Sequence, residues 1–354
     1  MTLFCDFLQR RFGARPFVPD PAKPDEQIFA VSLESFRALI GNGAFRNEAG
    51  EALRIEAGFA DTLTPDAHAD QENGTHFVIM HQALLATIVE FSLFLFTQSY
   101  LLPDIGKASG EESPSFESDE APGLRALRVT LDGAAIDPER DRVRVPRCED
   151  RHVAAIYMAL VMSRFVWFHE LAHCINGHVL FLQREKVSGA IISAVAPLGL
   201  VSFTRADGDI HNRRRLRHAL EMDADATAFE WLLRIQHGGA ENITGLLAYD
   251  EAQRFKMTVI GTYMMTWLFE EYQRFADARH DLTHPAPRDR LAFLRGLMDA
   301  AARHPALAHA LEEVRATLDQ LSNHISGFRF VAAQAATLVT DIDLDRALTP
   351  YRFR

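Results

Sequence analysis

A chain of 354 residues, of which 48% are hydrophobic, holds ample apolar material for a globular core, arranged as one large domain or two modest ones. Its formal net charge of −11 argues against nucleic acid as a partner, because such binders present a net basic surface or a basic stripe. Three cysteines, Cys5, Cys148 and Cys174, fit no disulfide framework, and no basic segment followed by an apolar core and cleavage site begins the sequence, so the expected compartment is the reducing cytoplasm.

In chain order, prolines at 16, 19, 21 and 24 mark an irregular lead, followed by a helix near Leu33 to Ile40. Leu53 to Phe59 and Thr75 to His81 are rich in strand formers and, separated by a polar loop, are expected to form a small antiparallel sheet. Gly110 to Gly123, within an acidic tract near 103–122, is dense in Ser, Pro and acid and reads as an exposed flexible loop. Leu127 to Leu131 and Arg142 to Val145 are expected to add short strands. Glu149 and Asp150 then start a long apolar helix, acids suiting the positive end of its dipole.

That helix carries His169-Glu170-Leu171-Ala172-His173, an HExxH signature. Histidines four apart stack on one helix face, so both rings reach one metal while Glu170 leans toward the same point. A structural zinc site fills four positions with His or Cys, whereas a catalytic one takes three protein ligands and leaves the fourth to water. The third ligand is sought in Glu221-Met222-Asp223-Ala224-Asp225, inside a helix from about Asn212 to Ile235. Glu221 and Asp225 share a face, so Glu221 is placed to ligate and Asp225 to accept a hydrogen bond from a ligand histidine, while Asp223 points nearly opposite. A third-histidine ligand set is set aside on spacing: it needs His six residues past His173, and here Gly177 follows at four and His178 at five. Asn176-Gly177 is expected to end the helix, with His178 as a polar turn residue. Cys174 is turned roughly 100° from His173 and reads as a buried inert thiol. Arg213, Arg214, Arg215 and Arg217 begin the Glu221 helix; a solvated face is the plainer reading and a docking patch for an acidic partner the sharper one.

Residues 250 to 279 read as another helix, with Met257, Ile260, Met264, Trp267 and Leu268 on a core-facing side. Next comes Thr283-His284-Pro285-Ala286-Pro287-Arg288-Asp289-Arg290. Proline pushes the residue before it toward extended backbone and suits a first helical turn, so His284 stands at the mouth of a helix starting near Pro285. Its imidazole is a candidate donor to a developing oxyanion, supported by Arg290; the alternative is a helix-capping or surface histidine. From Arg290 to Ala347 the pattern is mostly helical. The apolar segments 84–102, 153–168 and 187–204 are not clean spans of about twenty residues and read as buried helices, the last keeping open a peripheral membrane contact.

The ordered set WFHELAH, EMDADA and THPAPRDRL, with the upstream segment 75–100, resembles the Lit-type phage-exclusion peptidases within the glutamate-type HExxH zinc metallopeptidases. The resemblance covers about half the chain; the acidic tract and the apolar stretch near 187–204 depart from it. It implies one Zn²⁺ per chain held by His169, His173 and Glu221, Glu170 as general base, Asp225 orienting a ligand histidine and His284 as the histidine of the His-Pro motif. It also brings the translation factor EF-Tu as a candidate substrate, and a conditional protease of phage defence as a role.

The expected architecture is therefore α+β and predominantly helical, zincin-like, with a small antiparallel β-sheet beside the HExxH helix. Residues 1–147 form an N-terminal α+β region, 148–290 the zinc-binding helical core and 291–354 a C-terminal helical region of one continuous unit. The expected activity is metal-assisted hydrolysis of peptide bonds in a protein or peptide substrate. A non-catalytic zinc-containing sensor with a peptidase-like fold is the alternative, a membrane-processing protease is disfavoured for want of spanning segments, and the oligomeric state is left open.

Overall fold

The computed structural model describes residues 3–41, 45–47, 50–114, 122–124, 142–184, 192–193, 210–238, 250–275, 287–301, 305–324 and 348–353. They form a mostly helical α+β fold with a small mixed sheet. The strands are β1 (Arg15–Phe17), β2 (Arg54–Asp61), β3 (Ala67–Glu72), β4 (Thr75–His81) and β5 (Ile192–Ser193), in the order β1-β2-β4-β3-β5.

The expected antiparallel pairing of the two main strands is corrected: β2 and β4 run parallel, Arg54 opposite Thr75 through Ala60 opposite His81. What lies between them is not only a polar loop. β3 turns the chain back and pairs antiparallel with β4 on its other side. The connection is Asn73-Gly74, both with positive φ (51° and 77°), the two-residue turn whose twist matches a hairpin. β3 carries few strand formers because its surroundings want small and polar groups. Ala67 and Ala69 join the core beneath the long helix, Asp70 takes Arg11 at 3.0 Å, and His68 stacks on Phe12 with ring centroids 5.0 Å apart.

β4 is buried along its whole length and splits by alternation. Phe77 and Ile79 pack with Phe4, Phe7 and Leu8 of helix α1 (Leu3–Phe12), while Val78 and Met80 face the main core. Helix α2 (Gln27–Gly41) begins well before Leu33 because Phe29 and Ala30 extend its inward side. Helix α3 (Gln82–Phe96) follows β4 without a loop.

Helix α4 (Glu149–Ile175) is the axis of the fold, about 40 Å long at 1.5 Å per residue. Every residue from Tyr157 to Ile175 is buried, the pattern of a helix surrounded by protein on all sides. It is long and apolar enough to cross a membrane, yet 83% of its most apolar window is buried inside the fold, the signature of a core helix. Two devices anchor its start. Glu111 accepts from the backbone N–H groups of Arg147 and Cys148, both at 3.0 Å, so this part of the acidic tract closes the helix N-terminus. Arg151, with no exposed surface, donates to the carbonyls of Phe96, Gln98, Leu101, Leu102 and Ile105 at 2.8–3.1 Å, satisfying the end of α3 and the loop after it. Arg142 to Val145, expected as a strand, has no sheet partner among the described residues; Val143 and Val145 are exposed, and a strand needs both a buried face and a neighbour. Residues 127–131 and 115–121 lie outside the described residues.

At its other end α4 stops at Asn176-Gly177, Gly177 taking φ 79°. Only glycine fits there, since a Cβ would fall 2.4 Å from Tyr351 Cβ. The chain then enters helix α5 (His178–Arg184). Helices α6 (Ile210–Gly238), α7 (Glu251–Phe275), α8 (Pro287–Ala301) and α9 (Pro305–His324) complete the described α-helices. Met257, Ile260, Met264, Trp267 and Leu268 of α7 are all buried in the main core. Arg217 is buried rather than part of a solvated face, while the side chains of Arg213, Arg214 and Arg215 lie outside the described residues. So does 187–204, apart from β5.

Candidate metal centre

The site forms where α6 crosses α4. His169 and His173, one turn apart, present their Nε2 atoms 3.1 Å from each other. Glu221 reaches in from α6, its Oε2 3.3 Å from His169 Nε2 and its Oε1 3.7 Å from His173 Nε2. All three residues are buried, and they are the one group of potential metal ligands this close among the described residues.

The spacing fits a small tetrahedral cation. Bonds of about 2.0–2.1 Å at tetrahedral angles put neighbouring ligand atoms roughly 3.3 Å apart, against the observed 3.1 Å between the two histidine nitrogens and 3.3 and 3.7 Å from them to one and the other oxygen of the Glu221 carboxylate. The chemistry fits as well. Asp225 Oδ1 lies 3.0 Å from His169 Nδ1. A carboxylate can only accept, so the Nδ1 proton stays with His169 and its Nε2 lone pair turns toward His173 and Glu221. Acceptors converging on one point call for a positive centre between them.

Electrostatics agree. Burial would lower the basicity of His169, but Asp225 and Glu221 outweigh it and raise the pKa to about 10, so the two carboxylates favour positive charge at this point. For Asp225, burial pulls upward and is overcome by Arg290 and His169, leaving its pKa at about 2. Arg290 is itself buried and donates to Asp225 through Nε at 2.7 Å and Nη2 at 2.6 Å, a bidentate pair. Its guanidinium is thus directed to the carboxylate behind His169. His284, the residue it is expected to support, lies outside the described residues.

Glu170 is fully buried, and neither carboxylate oxygen has a hydrogen-bond partner among the described residues. Burial pushes its pKa well above the usual range, with Glu221 and Asp66 adding to the rise. An acid left this way costs stability unless something else uses it. Cys174 is buried one turn beyond Glu170, and burial, with Glu170 and Asp70 adding to it, raises its thiol pKa well above the usual value, as suits an inert thiol.

His178 corrects the expectation of a polar turn residue. It has no exposed surface, its Nδ1 lies 2.9 Å from His173 Nδ1, and its Nε2 lies 3.0 Å from Asp223 Oδ2. Asn176 Nδ2 donates to the same Asp223 oxygen at 2.7 Å and to Thr227 Oγ1 at 2.9 Å. Helical periodicity misses this histidine because the chain reverses at Gly177 and returns it to the end of α4. The available signal was Asp223 itself, a third carboxylate out of phase with Glu221 and Asp225.

A family model described as Peptidase U49 matches residues 128–311, more than half of the chain and a span containing all seven proposed site residues. No curated protein and no solved structure matches the chain.

Proposed function

The chain belongs to the peptidase U49 family, that of the Lit peptidases, and from that premise we propose that it is a zinc-dependent endopeptidase centred on His169, His173 and Glu221. The observation carrying this reading is the buried His-His-Glu group with Glu170, fully buried and without a hydrogen-bond partner among the described residues, on the helix of the two histidines. A structural site has no use for Glu170 and takes a fourth protein ligand, so the geometry favours chemistry over a non-catalytic sensor.

Zinc held by His169, His173 and Glu221 would supply Lewis acidity and bring the pKa of a water to roughly 7. Glu170 takes the proton from the attacking water and delivers it to the leaving nitrogen. His284 donates to the developing oxyanion. Asp225, held by Arg290, keeps His169 in the tautomer that leaves Nε2 free, so Arg290 acts as a positioning residue.

The family resemblance extends the proposal to conditional proteolysis in phage defence, in the cytoplasm, with EF-Tu as the first substrate to try. Comparing protein fragments from cells expressing the wild type and Glu170→Gln tests it. New protein termini only in wild-type cells support a protease, and identical fragment sets overturn the reading. Intact EF-Tu beside another cut protein removes EF-Tu alone.

A further inference from the structure

Each zinc-facing histidine has a second nitrogen that must be told which way to carry its proton, and the two are handled differently. His169 meets a carboxylate directly, Asp225 Oδ1 at 3.0 Å from Nδ1. His173 meets another histidine. We propose that His178 and Asp223 form a relay that fixes the tautomer and ring orientation of His173, making both positioning residues for the metal centre; this rests on the metal-site reading above.

The argument is one of proton placement. Asp223 Oδ2 only accepts, and Asn176 Nδ2 donates to the same oxygen at 2.7 Å and holds it in place. At 3.0 Å the proton between Asp223 and His178 therefore sits on His178 Nε2. With one proton on its ring, His178 offers a lone pair at Nδ1. The 2.9 Å contact to His173 Nδ1 then requires the His173 proton at that nitrogen, leaving its Nε2 lone pair aimed at the point shared with His169 and Glu221. The reversed order would put a proton on His173 Nε2 and block ligation. Both imidazoles are fully buried, so water does not substitute for either partner.

The arrangement gives each acid of Glu221-Met222-Asp223-Ala224-Asp225 a separate task. Glu221 faces the metal point, Asp225 lies behind His169, and Asp223 lies behind His173 through His178. Asp223 and Thr227, one turn apart, accept from Asn176 Nδ2 at the end of α4, so the capping residue of that helix also seats the relay.

The test uses two substitutions of similar polarity. His178→Asn places an amide oxygen near the position of Nδ1, where it can accept from His173, whereas His178→Gln carries its amide out toward the position of Nε2 and leaves His173 Nδ1 without an acceptor. Zinc affinity of the full-length protein is measured by competition with a chromophoric chelator. His178→Gln should bind zinc about 10- to 100-fold more weakly than wild type, with His178→Asn recovering most of the loss. Equal affinities for the two variants and wild type overturn the relay while leaving the metal site standing. If both variants fail to fold, nitrogen-15 NMR of the wild-type histidine rings decides: protons on His173 Nδ1 and His178 Nε2 in the zinc-bound protein support the relay, and any other pattern overturns it. A wild-type protein that binds no zinc overturns the metal-site reading and the relay with it.

Discussion

Arg290 grips both carboxylate oxygens of Asp225, at 2.7 and 2.6 Å, from a position where neither residue has appreciable exposure. The pair joins α8 to α6 directly behind His169, so Arg290 of the His-Pro segment holds the carboxylate that faces His169 Nδ1. A buried pair of this kind stabilises little on balance, but removing one member strands the other charge.

Asp225→Asn keeps the size of the side chain and loses the charge that faces both Arg290 and His169. Zinc affinity, read by chelator competition, should fall about 10- to 100-fold, with thermal stability also reduced. Unchanged zinc binding would make Asp225 a purely structural acid.

His284→Ala should leave the metal content near that of wild type while lowering kcat on the order of a hundredfold, the usual cost of one oxyanion donor. A loss confined to KM, or none at all, assigns His284 a different role.

His76 and His81 set an acid limit on stability. Burial lowers both to a pKa of about 4, and for His81 the neighbouring His68 adds to the fall while Asp66 and the Thr64 carbonyl oppose it. The folded pKa lies below the ordinary 6.5, so between those values the unfolded chain binds more protons, and stability drops as pH falls through that window. Each contributes on the order of 3 kcal/mol by pH 4. Urea unfolding between pH 7 and 4.5 should show the decline, and His76→Phe, which keeps a ring against Phe353, should flatten it. An equally steep decline in that variant would remove His76 as a cause.

Much of the centre was legible because helical spacing is rigid. His169 and His173 must share a face, as must Glu221 and Asp225, and no tertiary knowledge is needed to see it. The sheet was harder. Ala67 to Glu72 lacks strand formers because its residues answer to α4 on one side and α1 on the other, and propensity does not register such neighbours. Asn73-Gly74 is a hairpin signal that marks β3 and its antiparallel pairing with β4, whereas the placement of β2 on the other side of β4, parallel to it, has no local signal. His178 and Arg151 were beyond local periodicity, since Asp223 is 45 residues from His178 and the carbonyls bound by Arg151 are 46 to 55 residues away in the chain. What makes them consequential is the return of a chain segment to a helix end, which no period encodes.

The central claim is that Glu170 performs chemistry at a zinc held by His169, His173 and Glu221. The most direct measurement is zinc stoichiometry together with hydrolysis of a cleaved protein substrate for purified wild type and Glu170→Gln. The account predicts one zinc per chain in both proteins and hydrolysis only in the wild type. Cleavage by Glu170→Gln at the wild-type rate, or a fully active wild type without bound metal, would contradict it.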